Sequence, residues 1–154
     1  MQTKTALMEE IAMTLGGRAA EEIVFNEVTT GAANDLEKIT STAKQMVMRF
    51  GMSEKLGPRV FGSDPHQPFL GRELGAEPSY SQEMAQEIDV EIYRLIDEAH
   101  QRAAKVLLDH KQQLHEIAAI LIEHETIDKE QFERLLRGEP EHNVLTDDLQ
   151  PLNL

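Results

Sequence analysis

Cysteine and tryptophan are absent from this chain, and aromatic residues make up only 5% of it. Without a thiol there is neither a disulfide framework nor a thiolate metal centre. No apolar run approaches the roughly 20 residues that a membrane-spanning helix needs. The opening residues, MQTKTALMEE, are too polar for a secretory leader. Basic residues are scarce beside acids: 15 Lys and Arg stand against 28 Asp and Glu, a formal net charge of -13. Such a surface repels phosphate backbones and argues against nucleic acid as a partner.

Three catalytic signatures are also missing. There is no G-x-S-x-G nucleophile elbow and no G-x-x-x-x-G-K-[ST] phosphate loop. An H-E-x-x-H helix would set two imidazoles one turn apart on a single zinc. His115-Glu116 begins that pattern, but Ala119 stands where the second histidine belongs, and after His124-Glu125 the position is Asp128. Both dipeptides read as solvated helix positions. His66, His100, His110 and His142 are scattered. The chain therefore holds no self-sufficient active site, and neither a catalytic nor a nucleotide-binding residue is assigned within it.

What is present is helical periodicity. A chain of 154 residues with 40% apolar content can bury one core. Leu7, Ile11 and Leu15 make a stripe at helical spacing, starting near Thr3 to Thr5. Gly16 and Gly17 interrupt it, as a break or as a close approach of backbone to a neighbour, and the pattern resumes over Arg18 to Phe25. Asn26 to Asn34 reads as a loop, followed by a helix from about Asp35 to Phe50 that buries Leu36, Ile39, Ala43, Met46, Val47 and Phe50. Gly51 is its stop signal. Met52 to Tyr80 is long, irregular and rich in Gly and Pro, with a short strand expected at Arg59 to Phe61 and with Phe69 and Leu70 as anchors. Ser79 or Ser81 caps the longest helix, Gln82 to Leu108, whose stripe runs from Met84 and Ile88 to Val106 and Leu107. A turn near Asp109 leads to a helix over Lys111 to Glu123 with Leu114, Ile117, Ala118, Leu121 and Ile122 inward. Asp128 with Gln131 forms a capping box for a short last helix that packs through Phe132, Leu135 and Leu136 and ends at Gly138. The fold class expected is all-α: a mainly helical bundle with one long irregular loop. The expected division is a helical domain over 1–138 and a flexible tail over 139–154.

The segment TTGAAND, Thr29 to Asp35, holds the most chemistry. Asp35 sits in the first turn of a helix, where a carboxylate faces unpaired N–H groups, an interaction of roughly 0.3 to 1 kcal/mol. The same oxygens can ligate a metal if partners come from elsewhere. Glu21 and Glu22 are either solvated helix positions or hydrogen-bond acceptors behind a ligating histidine. Arg18 is spaced to pair with Glu22 across one turn.

These residues carry a family likeness. LGGRAAEEIVF (Leu15 to Phe25), TTGAANDLEKIT (Thr29 to Thr40) and FGMSEKLGP (Phe50 to Pro58) together resemble the M41-type peptidase domain of the FtsH family of membrane-anchored, ATP-dependent zinc metalloproteases. The likeness continues through YSQEMAQEIDVEI (Tyr80 to Ile92) and ETIDKEQFERLL (Glu125 to Leu136), covering about residues 3 to 138. It implies that 1–138 is a partial metallopeptidase domain and that Asp35 is the third zinc ligand, beside two histidines of an H-E-x-x-H helix expected upstream of residue 1. The glutamate of that motif would act as general base. The likeness further implies an ATPase module that binds ATP, a homo-hexameric ring, and protein substrates drawn from membrane and cytoplasm. The parent protein would lie at the cytoplasmic face of the cell membrane. The part seen here would be soluble, free of membrane contact and, without the histidine pair, inactive alone. The other reading is a non-catalytic helical module that supports ring assembly.

Overall fold

The computed structural model describes residues 1–62 and 80–139. Five α-helices make up the described chain, and no strand occurs among the described residues. The chain divides into two compact units, Met1–Val106 and Leu107–Leu154.

In the first unit, α1 spans Lys4–Phe25. Thr3 caps it: its hydroxyl accepts from the Ala6 N–H at 3.1 Å. The expected interruption at Gly16 and Gly17 is absent, and α1 is one continuous helix. Close approach does not explain the pair either, since a Cβ added at either glycine meets nothing within 4 Å. Burial overrides propensity here. Two helical glycines cost about 2 kcal/mol, whereas each large apolar side chain buried contributes on the order of 1.5–3 kcal/mol. Leu7, Ile11 and Leu15 are all buried, and Ala19 extends the stripe past the glycines. Asn26 ends the helix in the left-handed region, φ 53°, with its N–H on the Glu22 carbonyl.

A single 3-10 turn, Thr30–Ala32, feeds directly into α2, Ala33–Met48. The helix thus starts two residues before Asp35, because the Ala33 N–H already bonds to the Thr30 carbonyl. Ile39, Ala43, Met46 and Val47 are its buried face, as the spacing predicts. Phe50 is not part of it and is 53% exposed. The helix has ended by then, and the chain folds back over its own last carbonyls: Phe50 N–H bonds to Gln45 and Met52 N–H to Met46. Gly51 makes that reversal possible at φ +59°, and a Cβ there would lie 2.9 Å from the Pro58 Cα.

The strand expected at Arg59 to Phe61 does not form. The Phe61 N–H caps the Met48 carbonyl at 2.8 Å, so the segment is tied to the end of a helix, with no neighbouring strand among the described residues. Phe61 is buried, with Tyr80 edge-on (centroids 6.1 Å apart) and the Arg59 guanidinium 4.5 Å over its ring. Residues 63–79, including the expected anchors Phe69 and Leu70 and the alternative cap Ser79, lie outside the described residues.

The next helix, α3, spans Gln82–Asp109. Ser81 starts it, accepting from the Met84 N–H at 3.2 Å. Ile88, Leu95, Ala99 and Ala103 are buried, but Val106, expected on the same stripe, is 54% exposed. Ion pairs tie α1 to its neighbours, Glu10 to Lys38 of α2 and Glu9 to Arg102 of α3.

The second unit holds α4, Lys111–His124, and α5, Lys129–Leu136. The capping box is formed as the sequence predicts. Asp128 accepts from the Gln131 N–H at 2.8 Å, and Gln131 reaches back to the Asp128 N–H at 3.1 Å. Leu135 is buried, whereas Phe132 and Leu136 are each 43% exposed. The inward face expected on α4 is covered only in part: Leu114 and Ile117 are half-buried, whereas Ala118, Leu121 and Ile122 are exposed. None of its residues is buried, and Ile122 is 84% exposed. A stripe at the right spacing is buried only where a second surface meets it. The expected tail, 139–154, lies outside the described residues apart from Glu139. Among the described residues no helix is long and apolar enough to cross a membrane.

Candidate metal centre

Asp35 is delivered by the passage from α1 to α2. Glu21, near the end of α1, holds this passage. Its carboxylate accepts from the Thr29 backbone N–H at 3.3 Å and from the Thr29 hydroxyl at 3.1 Å. The Thr29 hydroxyl oxygen in turn accepts from the Gly31 N–H at 3.2 Å, capping the 3-10 turn. One carboxylate on a rigid helix therefore fixes the turn from which α2 departs.

Asp35 occupies the first turn of α2, is exposed, and makes no hydrogen bond or ion pair among the described residues. No side chain caps α2 at all. The carboxylate keeps the favourable field of the helix N-terminus, but its oxygens are not consumed by capping. Both remain open to a hard cation.

Glu22 is already engaged. Its Oε1 takes the Arg18 Nε at 3.1 Å, as the i,i+4 spacing predicts, and its Oε2 lies 3.0 Å from the His100 Nε2. Neither glutamate is simply solvated: Glu21 anchors Thr29, and Glu22 pairs with Arg18. The two His-Glu dipeptides are surface features. His115 is exposed, Glu116 accepts from Gln112 at 2.8 Å, and Glu125 is the left-handed cap of α4. His66 and His142 lie outside the described residues.

Among the described residues no three His, Asp or Glu side chains come together as a metal-holding group. Asp35 is a single donor with free oxygens, which fits one position of a tetrahedral zinc shell and leaves the remaining positions to other groups.

A buried polar array lies away from Asp35, and sequence reading missed it. Glu91 and Ser53 are both 2% exposed. The Ser53 hydroxyl donates to Glu91 Oε2 at 2.6 Å and accepts from the Leu56 N–H at 3.1 Å. Arg94 donates to both Glu91 oxygens, at 3.0 and 3.3 Å, and also pairs with Glu98. The Arg94 hydrogen bond holds the Glu91 carboxyl below its usual range; burial opposes this and loses. Flanking residues repeat the linkage: Glu54 pairs with Lys4 of α1, and Lys55 pairs with Glu87 of α3. Three consecutive loop residues therefore pin the turn after α2 to two helices. The available signal was Glu91 itself, an acid standing on the apolar stripe between Ile88 and Leu95.

Comparison with known proteins places the chain in a family. Residues 1–135 match the model of peptidase family M41. The chain is 59% identical over 151 residues to "ATP-dependent zinc metalloprotease FtsH 1" of Conexibacter woesei, covering 98% of this chain and 23% of that protein. It is 48% identical over 150 residues to "ATP-dependent zinc metalloprotease FtsH" of Bacillus subtilis (96% and 24%), and 47% identical over 137 residues to the FtsH 1 protein of a Thermoanaerobacter species (89% and 22%). The chain spans less than a quarter of the length of each of these relatives. A family match over residues 1–135 and this extent of identity lead to one conclusion: the chain belongs to peptidase family M41.

Proposed function

We propose that this chain forms part of an ATP-dependent zinc metalloendopeptidase and contributes one zinc ligand, Asp35. The observation that carries the reading is the state of that carboxylate. It is exposed on the first turn of α2 with both oxygens unengaged among the described residues, in a chain of family M41. Two imidazoles from sequence outside these 154 residues would complete the protein's share of the shell. Zinc, when bound, supplies Lewis acidity toward a scissile carbonyl. The part played by this chain is positional. Glu21 and Thr29 hold the turn, the turn sets the start of α2, and α2 aims Asp35. Among the described residues no group of donors completes a zinc centre, and the chain alone is expected to be inactive.

The relatives' names add ATP dependence. The corresponding partners are an ATPase module that binds ATP, protein substrates, and further copies in a hexameric ring at the cytoplasmic face of the membrane. The test uses a longer protein that contains an H-E-x-x-H helix. Asp35→Ala there should lose zinc and peptide cleavage together while its helical content stays unchanged. Retention of stoichiometric zinc and full cleavage would show that Asp35 is not a ligand.

A second reading, ring assembly, is favoured by α4, which presents Leu121 and Ile122 to solvent. Light scattering on the isolated chain bears on it: self-association that Ile122→Asp abolishes supports assembly through this face, and a monomer at high micromolar concentration counts against it.

A further inference from the structure

Most cations of this chain are paired. Lys4, Arg18, Lys38, Lys55, Arg94, Arg102, Lys129 and Arg137 each meet a carboxylate. That is expected where 28 acids surround 15 bases. Lys44 and Arg49 are among those that do not meet one. Neither has an ion pair or side-chain hydrogen bond among the described residues, and both line the same depression. Its volume is about 270 Å³, and Ser41, Gln45, Met48, Phe61 and Gly62 complete the lining. The floor is apolar, with Phe61 buried and Met48 half-buried; the rim is polar, with Ser41, Lys44, Gln45 and Arg49 exposed. A third cation, Arg59, stands over the Phe61 ring.

The depression lies at the C-terminal end of α2, where unsatisfied carbonyls would ordinarily repel an anion. Here they are covered. Gln45, Met46 and Met48 carbonyls all accept N–H groups from residues 49–61. The negative end of the helix is thereby blunted, and the two free cations set the local potential.

We propose that this depression binds a carboxylate carried on a small apolar group. The Arg49 guanidinium presents the planar fork that a carboxylate accepts, and Lys44 adds a point charge. Ser41 and Gln45 offer hydrogen bonds to an adjoining amide, while Met48 and Phe61 take the apolar body. The volume admits about one amino-acid residue, so the occupant is a free N-acylated amino acid or one acidic or terminal residue of a peptide. A polyanion is disfavoured by the charge of the rest of the surface.

The experiment is an NMR titration of the full 154-residue chain at low salt, followed at the Gly62 and Phe61 amides. N-acetyl-leucine should bind, and its uncharged amide should bind roughly tenfold more weakly or not at all, since the charge-assisted bonds are lost. A peptide ending in leucine, compared with its C-terminally amidated form, separates the two sources: saturable binding of the peptide acid assigns a peptide carboxylate, and its failure beside binding of the small acid assigns the free molecule. Lys44→Gln with Arg49→Gln should remove the acid's effect without changing the circular dichroism. Equal shifts from acid and amide, or an undiminished response in the double variant, would overturn the proposal. Because the readout is binding by this chain alone, the outcome is independent of whether Asp35 ligates zinc.

Discussion

Removing the Glu91 carboxylate should unfold the first unit more readily than any other single polar change. In Glu91→Ala the buried Ser53 hydroxyl loses its acceptor while still receiving the Leu56 N–H. A buried donor left unmet costs about 1–3 kcal/mol. Arg94 loses less, because its guanidinium is 44% exposed and retains Glu98. The expected destabilisation is therefore about 2–3 kcal/mol, read as a lower urea midpoint at unchanged slope. Ser53→Ala alone should cost about 1 kcal/mol. The double variant should cost less than the sum of the singles, with a coupling of about 1 kcal/mol or more. The contribution also depends on pH. The folded-state pKa of Glu91 lies below its ordinary 4.5, so the ionised, bonded form stabilises the fold above that value. That stability is lost as pH falls from 4.5 through the depressed folded value, and Glu91→Gln should flatten this acid limb. Strictly additive single variants, or an acid limb unchanged in Glu91→Gln, would refute the claim that this array pins the turn after α2.

Three further outcomes follow from the backbone and the caps. Gly51→Ala forces a Cβ to 2.9 Å from the Pro58 Cα at φ +59° and should cost more than the roughly 1 kcal/mol of an unstrained left-handed position; thermal unfolding of the variant checks it. Gly16→Ala and Gly17→Ala enter open space in α1 and should each stabilise the chain by up to about 1 kcal/mol, and a fall in melting temperature instead would show that the helix needs both glycines. Asp128→Ala removes one half of the α5 capping box and should cost about 1 kcal/mol, measured as faster amide exchange in α5 with α1 to α3 unaffected.

Much of the architecture was legible in single residues. The range Thr3 to Thr5, the pair Ser79 or Ser81, and Asp128 marked three helix starts, with Thr3, Ser81 and Asp128 the caps found, because a cap is a local event, a side-chain oxygen meeting an N–H three residues on. Leu7 to Leu15 and Ile39 to Val47 named buried faces because helical spacing alone sets them on one side. Gly51 marked the end of α2, since its backbone excludes a side chain. Several of the misses share a cause. Val106, Phe50, Leu121 and Ile122 carry the right spacing and remain exposed, because spacing states what can be buried and not what arrives to bury it. Arg59 to Phe61 has strand-like residues, but its N–H goes to the end of α2.

For the candidate site, the sequence by itself determined that a carboxylate would stand on the first turn of a helix, and family likeness directed attention to Asp35. Only the tertiary structure decided that this carboxylate is unpaired among the described residues, that Glu21 holds Thr29, and that Glu22 pairs with Arg18. It alone joined Ser53 to Glu91 across 38 residues of chain. Local order is written in neighbouring residues, because capping and periodicity act over one or two turns. The engagement of a polar atom depends on which distant group the fold brings within hydrogen-bond reach.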